Sequence, residues 1–305
     1  MRYSYLGPAG TFTHVALTQL APPEAQYLPA IDVPSALDTV RSGEADFAVV
    51  PIENSVEGGV NATLDALSHG TKLQICGETL VPITFVLAGR QDTSRITRIG
   101  THPHAWAQCR RWVASNLGEV EHVPAPSTSA AAKALADGEA DYEAVLCSVL
   151  SAQQYGLDIL ESGVGDNPDA VTRFICVGKL GVLPQRTGAD KTTLQVELPS
   201  DESGALLSML EQFSTRGVNL SRIESRPVGD ALGRYSFSID CEGHIEDERV
   251  QAALIGLHRT CPRVHFLGSY PNANRQPVIP SHGTADVDFS DAREWVARLR
   301  LGTDE

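Results

Sequence analysis

Ser35-Ala-Leu-Asp-Thr-Val-Arg-Ser-Gly-Glu-Ala-Asp-Phe-Ala-Val-Val50 has apolar residues at helical spacing, a glycine at 43 and then an apolar run. That is the pattern of a helix that stops at Gly43 and turns into a strand. Ser129-Ala-Ala-Ala-Lys-Ala-Leu-Ala-Asp-Gly-Glu-Ala-Asp-Tyr-Glu-Ala-Val-Leu146 repeats it, with Gly-Glu-Ala-Asp in both copies and the first glycines, Gly43 and Gly138, 95 residues apart. A second echo lies upstream. Tyr3-Ser-Tyr-Leu-Gly7 leads through a turn into a helix around His14 to Leu20, and Ile96-Thr-Arg-Ile-Gly100 leads into one around Trp106 to Val113, at an offset of 93 residues. Two segments that both read strand, turn, helix, helix, strand predict two similar α/β lobes with mostly parallel sheets. Ligands of such sheets sit beyond the carboxyl ends of the strands, so two facing lobes share one cleft, with hinge closure available. Lobe one is expected over about 1–79 plus 176–181, and lobe two over about 80–175.

Beyond Val182-Leu-Pro-Gln-Arg-Thr-Gly-Ala-Asp190, a polar linker, the pattern changes. Strands are predicted at Thr192 to Leu198, Val218 to Val228, Arg234 to Cys241 and Val264 to Tyr270. A turn at Gly229-Asp230 separates the middle two, and helices are predicted at Ala205 to Arg216 and about Glu246 to His258. The order βαββαβ predicts a ferredoxin-like domain over 190–272. Residues 273–305 form a tail rich in Asn, Pro and Gly until a short amphipathic piece from Ala292 to Leu301.

Composition narrows the function. The 305 residues carry 24 Lys and Arg against 38 Asp and Glu, a net charge of -14 with no basic stripe, so phosphate backbones would be repelled. An anionic substrate would have to be held by a few placed Arg, backbone N–H groups and helix N-termini. The start, Met1 to Pro8, lacks the apolar run of a signal peptide, and the longest apolar stretch, Leu80 to Ala88, is far below the ~20 residues of a membrane span, so a cytoplasmic location is expected. Cys76, Cys109, Cys147, Cys176, Cys241 and Cys261 form no C-x-x-C pair and read as reduced thiols. No P-loop, nucleophile elbow or dinucleotide fingerprint occurs.

Four segments carry candidate chemistry. Gly7-Pro8-Ala9-Gly10-Thr11-Phe12-Thr13 follows a strand and opens a helix, and Ser127-Thr128-Ser129 opens the echoing helix of the other lobe. Each reads alone as an ordinary N-cap, and together as a seat for a small anion. Pro51-Ile52-Glu53-Asn54-Ser55 emerges at the carboxyl end of the strand Asp46 to Val50. Thr172-Arg173-Phe174 precedes a strand at Ile175 to Val177; the Arg173 fork suits a carboxylate, or a salt bridge to Asp166 or Asp169. His102-Pro103-His104 lacks the acidic or cysteine neighbours of a metal site and reads as a surface turn.

In this order, these motifs resemble those of prephenate dehydratases. Gly204-Ala205-Leu206-Leu207 and Glu224-Ser225-Arg226-Pro227 resemble the motifs of the family's regulatory ACT domain. The resemblance covers about residues 1 to 272. It implies a two-lobed, periplasmic-binding-protein-like catalytic domain over 1–181 and a ferredoxin-like ACT domain. It implies a carbon-oxygen lyase that converts prephenate to phenylpyruvate in phenylalanine biosynthesis, with no metal or organic cofactor. Thr172 would act at the departing hydroxyl, with Glu53, Asn54 and Gln108 completing the catalytic site. Arg173, Phe174, Thr11, Ser55, Ser127 and Ser129 would bind substrate. Phenylalanine would act as feedback effector between paired ACT domains near Gly204, Ala205, Leu206, Asn219, Glu224 and Ser225, which implies a homodimer or homotetramer through ACT and catalytic domains. Two departures stand out: His104 where the family usually has Gln, and Ser203 where it often has Pro in Asp201-Glu202-Ser203-Gly204. Arogenate dehydratase and a non-enzymatic amino-acid sensor are the competing readings.

Overall fold

A computed structural model of the chain describes residues 1–56, 58–90, 95–199, 202–227 and 235–303. The chain divides into two units, Met1–Thr71 with Thr79–Lys179, and Lys72–Glu78 with Leu180–Glu305.

The first unit contains both lobes. In lobe one, β1 (Arg2–Leu6), α1 (Phe12–Leu20), β2 (Gln26–Ala30), α2 (Val33–Ser42) and β3 (Phe47–Asn54) follow in turn, with β1 parallel to and between β2 and β3. β4 (Gly58–Gly59) turns back on the end of β3, and α3 (Asn61–Ser68) follows. β5 (Leu73–Pro82) leads to β6 (Val86–Gly89) of lobe two. There β7 (Arg98–Thr101), α4 (Pro103–Asn116), β8 (Glu121–Pro124), α5 (Thr128–Asp137) and β9 (Ala144–Cys147) repeat the arrangement, with β7 parallel to and between β8 and β9. β6 lies antiparallel on β9, and after α6 (Val149–Gln154), β10 (Asp158–Ser162) lies antiparallel on β6. β11 (Val171–Lys179) then returns to lobe one, antiparallel on β3.

The echo in the sequence is thus a repeat in space. α2 buries Val33, Ala36, Leu37 and Val40, and α5 buries Ala131, Ala132 and Leu135. Each starts on a side-chain cap, Asp32 or Ser127, and stops on a left-handed glycine, Gly43 at φ 87° or Gly138 at φ 77°. Two boundaries that bear on the cavity differ from the sequence expectation. The strand expected to end at Val50 runs on to Asn54 because β11 pairs along it, so Glu53 and Asn54 are strand residues. β11 begins at Val171 rather than Ile175, which moves Thr172 to Phe174 out of lobe two and into the sheet of lobe one.

In the second unit, β12 (Asp190–Glu197), α7 (Ala205–Ser214), β13 (Leu220–Pro227), β14 (Tyr235–Glu242), α8 (Glu248–Thr260) and β15 (Arg263–Pro271) form an antiparallel sheet in the order β13-β14-β12-β15 with two helices. This is the ferredoxin-like βαββαβ order. Leu194, Val196, Phe237 and Ile239 of the sheet pack on Met209, Phe213 and Leu257 of the helices. Lys72–Glu78, expected in lobe one, opens β5, which is hydrogen-bonded beside β11 in the sheet of lobe one, and it is grouped with the second unit through two sets of contacts. The buried Glu78 carboxylate pairs with Lys191 at 2.9 Å and accepts the Ala273 N–H at 2.9 Å. A Cβ on Gly268 would come within 2.2 Å of the Ile75 carbonyl oxygen, so the two backbones run in close contact. The turn at Gly229-Asp230 and Asp201 lie outside the described residues. The tail ends in α9 (Asp286–Leu301), which begins six residues before the expected Ala292 because Asp286 accepts the Glu248 N–H at 2.9 Å and Arg293 pairs with the Glu248 carboxylate at 2.6 Å.

Within the first unit, the lobes are bonded beside α1. Ser129 Oγ and Tyr155 OH both donate to the Ala9 carbonyl, the latter at 3.1 Å. Ser148 Oγ and Ser151 Oγ both donate to the Gly10 carbonyl, at 2.7 and 2.9 Å. Gly10 has φ 88°, and a Cβ there would lie 2.7 Å from Ser129 Oγ and 2.8 Å from Ser151 Oγ. Its N–H donates to His14 Nδ1 at 3.0 Å, which requires that ring nitrogen unprotonated, and burial holds the His14 pKa below its ordinary value.

Gly10→Ala combines a disfavoured backbone angle with a crowded Cβ, and a loss of about 2–3 kcal/mol is expected, read as a lower melting temperature of the intact chain. The neutral His14 contributes stability that is complete above its unfolded pKa of 6.5 and is lost as pH falls through the lower folded value. His14→Asn is therefore expected to flatten the decline of melting temperature between about pH 7 and about pH 5; an unchanged profile would show that His14 does not titrate there.

Candidate functional site

A cavity of about 650 Å³ opens in the first unit between the two lobes. Leu6, Ala30 and Asn54 bring the ends of β1, β2 and β3 to it, and His102 and Pro126 follow the ends of β7 and β8. These are carboxyl ends of parallel strands, where this class of sheet exposes loops and helix starts. Three helices begin on the wall: α1 with Phe12 and Thr13, α4 with His104, Ala105 and Gln108, and α5 with Thr128 and Ala130. The positive dipole ends of these helices face a chamber whose described lining includes no Lys, Arg, Asp or Glu. Ile83, Phe85 and Phe12 give it an apolar side, with Phe12 and Phe85 edge to face at 5.4 Å.

At the floor, Thr172 on β11 is registered opposite Asn54 on β3, and Asn54 Nδ2 donates to Thr172 Oγ1 at 2.7 Å. The Val56 N–H donates to Asn54 Oδ1 at 2.8 Å, which fixes the amide with its NH₂ toward the threonine. Thr172 Oγ1 is an acceptor in this bond, so its own proton is not used in it. The neighbouring register pair carries charge: Arg173 Nη1 meets Glu53 Oε2 at 3.0 Å. Arg173 thus makes an ion pair with Glu53 across the strands, while the Asp166 carboxylate is turned to α4.

Of the ten catalytic and substrate-binding residues expected, Thr172, Asn54, Gln108, Thr11 and Ser127 line the cavity, and Glu53, Arg173, Phe174, Ser55 and Ser129 stand outside its lining. Strand alternation is the reason for Glu53 and Arg173, since the neighbours of Asn54 and Thr172 point to the other face. Phe174 is buried. Ser55 closes the end of the β3–β11 pair, its Oγ accepting the Val171 N–H at 2.9 Å. The Ser129 hydroxyl donates to Ala9. Thr11 caps α1, donating to the Pro8 carbonyl at 3.0 Å while accepting the His14 N–H at 3.3 Å.

Two features escape the sequence reading. His102 and His104, expected in a surface turn, sit at the start of α4 and line the cavity, the His104 N–H donating to His102 Nδ1 at 3.2 Å. The i, i+4 spacing of His104 and Gln108 is the signal that puts both on one helix face. Asp166 is a wedge against α4: its N–H donates to the Gln108 carbonyl at 2.7 Å, and its carboxylate accepts the N–H groups of Trp112 at 2.9 Å and Arg111 at 3.1 Å. It thereby engages the Gln108 carbonyl and the Trp112 N–H, the two groups that bond each other in a regular helix, and anchors the turn that carries the Gln108 side chain. Burial, then the Asp166 charge, pushes the Cys109 thiol far up, and burial pushes Cys147 up to about 12, so both are unreactive thiols.

Among the described residues, no group of three or more His, Cys, Asp and Glu has the geometry to hold a metal ion, and no helix is long and apolar enough to cross a membrane. In the second unit, Gly204 at φ 90° starts α7, followed by Ala205 and Leu206, while Asn219 precedes β13 and Glu224 and Ser225 lie along it. The Glu224 carboxylate accepts from Arg222 at 3.4 Å, and Arg222 is itself anchored on the buried Asp240 at 2.8 Å. Glu224 is thus part of a partly buried ion network.

The model of the prephenate dehydratase family matches residues 3–181. The chain is 41% identical over 316 aligned residues to prephenate dehydratase of Mycobacterium tuberculosis, covering 100% of this chain and 96% of that protein. It is 54% identical to the crystal structure of prephenate dehydratase in complex with L-Phe from Arthrobacter aurescens, with a TM-score of 0.93 over 99% of this chain and 100% of that one. The Staphylococcus aureus prephenate dehydratase structure is 26% identical with a TM-score of 0.74, covering 88% of this chain and 100% of that one. With the family's domain spanning the two-lobed unit and likeness to its members over the full length, the chain belongs to the prephenate dehydratase family.

Proposed function

We propose that the protein converts prephenate to phenylpyruvate in the cytoplasm, as a step of phenylalanine biosynthesis, and that phenylalanine regulates it through the second unit, read as an ACT domain. The observation that carries this reading is the Thr172 hydroxyl, oriented by Asn54 at 2.7 Å on the wall of a cavity where three helices begin. In the reaction the bond from the ring to the departing carboxylate breaks, its electron pair enters the ring, and the C–O bond opposite breaks as aromaticity is gained. The leaving hydroxide takes a proton from Thr172 and departs as water; the threonine regains its proton from solvent. Hydroxide is a poor leaving group without that proton, which is why a donor held beside it accelerates the step. The substrate's carboxylates are met by helix N-termini and the polar edges of Ser127 and Gln108 rather than by a cationic side chain on the wall. Arg173, paired with Glu53 behind Thr172, holds the strand that presents the hydroxyl.

The same wall favours prephenate over arogenate. An ammonium group in the cavity would need a carboxylate partner, and the described lining has none. Feedback is supported by the L-Phe held in complex by the Arthrobacter aurescens enzyme and by the ferredoxin-like order of the second unit. Pairing of copies through that unit is supported by the edge position of β13 with Ile223 exposed, and by the exposed Leu206 and Leu207 at the start of α7.

Purified protein incubated with prephenate is expected to release phenylpyruvate, faster than it turns over arogenate, and to slow when phenylalanine is added. A folded chain that leaves prephenate intact would refute the reading. Thr172→Ala is expected to lower kcat by roughly 10²–10⁴ with little change in melting temperature, and Thr172→Ser to restore part of it. Asp166→Ala, which removes the wedge from α4, is expected to lower kcat/KM by about tenfold through misplacement of Gln108; steady-state kinetics beside a circular-dichroism check of folding would measure it.

A further inference from the structure

The tail helix α9 is anchored near its beginning. Asp286 and Arg293 bond to Glu248, and Arg186 pairs with Asp286 at 2.8 Å, yet α9 has no buried residue and 291–300 are all exposed. On this solvated stretch Ala292, Trp295, Val296 and Leu299 recur at helical spacing and form one apolar face, with Trp295 and Val296 each 49% exposed and Leu299 41%. A helix that rests on so little packing is marginal in water, and an uncovered tryptophan face marks a contact surface.

Charge selects the partner. Asp286, Asp288, Asp291 and Glu294 outweigh Arg293 in the first part of α9, and Arg298 and Arg300 occupy its last turn. The helix is a poor match for a membrane surface, which wants an excess of Lys and Arg, but it is complementary to itself reversed. About a twofold axis between positions 295 and 296, Ala292 of one copy meets Leu299 of the other, and Trp295 and Val296 of both copies gather around the axis, as an isologous contact requires. Asp291 and Arg298 are seven residues apart and so lie on one flank of that face, where each Asp291 comes beside the other copy's Arg298. In a parallel pair Asp291 would lie beside Val296 and form no ion pair. We propose that α9 packs antiparallel on α9 of a second copy of this chain, an interface separate from the one suggested at β13.

Disulfide trapping in the full-length chain tests the geometry. Within one helix, positions 292 and 299 are about 10 Å apart, beyond the reach of about 7 Å for a disulfide, so any bond between them joins two chains. Ala292→Cys combined with Leu299→Cys is expected to give, on mild oxidation, a covalent dimer that reducing agent dissolves, while either single variant and the parent chain remain monomeric on a denaturing gel. No covalent dimer from the combined variant, or equal dimer from a single one, would overturn the proposal. A second measurement covers the case in which the cysteines disturb the helix. In sedimentation equilibrium, Asp291→Arg is expected to raise the dissociation concentration roughly fivefold, and adding Arg298→Asp to restore it. Identical association of the parent and both folded variants would equally overturn it.

Discussion

The floor of the cavity depends on β11 lying back on β3. Thr172 and Asn54 are 118 residues apart in the chain, and only this antiparallel pairing makes them neighbours. Closing so long a loop is entropically costly, but the cost grows only with the logarithm of its length. Lobe two folds within that loop around a core of its own, in which Val86, Ala131, Val145 and Cys147 are buried. What holds the closure is a run of pairs from Thr172 with Asn54 to Gly178 with Phe47, in which Val49, Val50, Ile175 and Val177 are inaccessible to water. The register shifts between Arg173 and Phe174, so a bulge lies one residue from the threonine that lines the cavity.

Alternation along this strand pair separates two kinds of polarity. One face turns neutral donors and acceptors toward the chamber; the other keeps a charged pair, Arg173 with Glu53, away from it. The chain as a whole repels anions, so the attraction that holds one must be local. Under the proposed function, oriented N–H groups at the starts of α1, α4 and α5 would provide it, and because the helices fix their direction before a ligand arrives, little reorganisation would be needed on binding. The start of α1 is in turn held by four hydroxyls of lobe two, from Ser129, Tyr155, Ser148 and Ser151, on two successive carbonyls of lobe one. The start of α1 on the cavity wall and the bond between the lobes are therefore parts of one turn, and Gly10 is the residue whose backbone and lack of side chain allow both.

The second unit uses buried charge differently. Asp240, inaccessible to water, takes hydrogen bonds from Thr193 at 2.7 Å and Arg222 at 2.8 Å, which ties β12 and β13 to β14 between them. Such a pair contributes less to net stability than its short distances suggest, because both charges lose their hydration. Its larger effect is on uniqueness, since a slip in strand register would leave the carboxylate buried without a partner. Lys191 with Glu78 fixes the contact of the segment Lys72–Glu78 in the same way, although β5 itself is paired with β11.

The elements legible from the residues alone are those whose ends are set by neighbours in the chain. Asp32 and Ser127 cap the helices they precede, Gly43 and Gly138 stop them in the left-handed conformation, and the apolar spacing between cap and glycine states which side is buried. The duplicated lobes and the βαββαβ order follow from such signals, as does the placing of Thr11 and Ser127 at helix starts beside a cleft. Strand ends carry no comparable local mark. β3 continues to Asn54 and β11 starts at Val171 because each finds the other, and a shift of one residue decides whether Thr172 or Arg173 faces the chamber. The ion pair of Arg173 with Glu53, the hold of Asp166 on α4 and the contacts of Lys72–Glu78 likewise rest on groups far apart in sequence. Local sequence dictates a helix because its hydrogen bonds close within a few residues. A strand's bonds close on another strand, and so the site that hangs on β3 and β11 was decided by the folded chain.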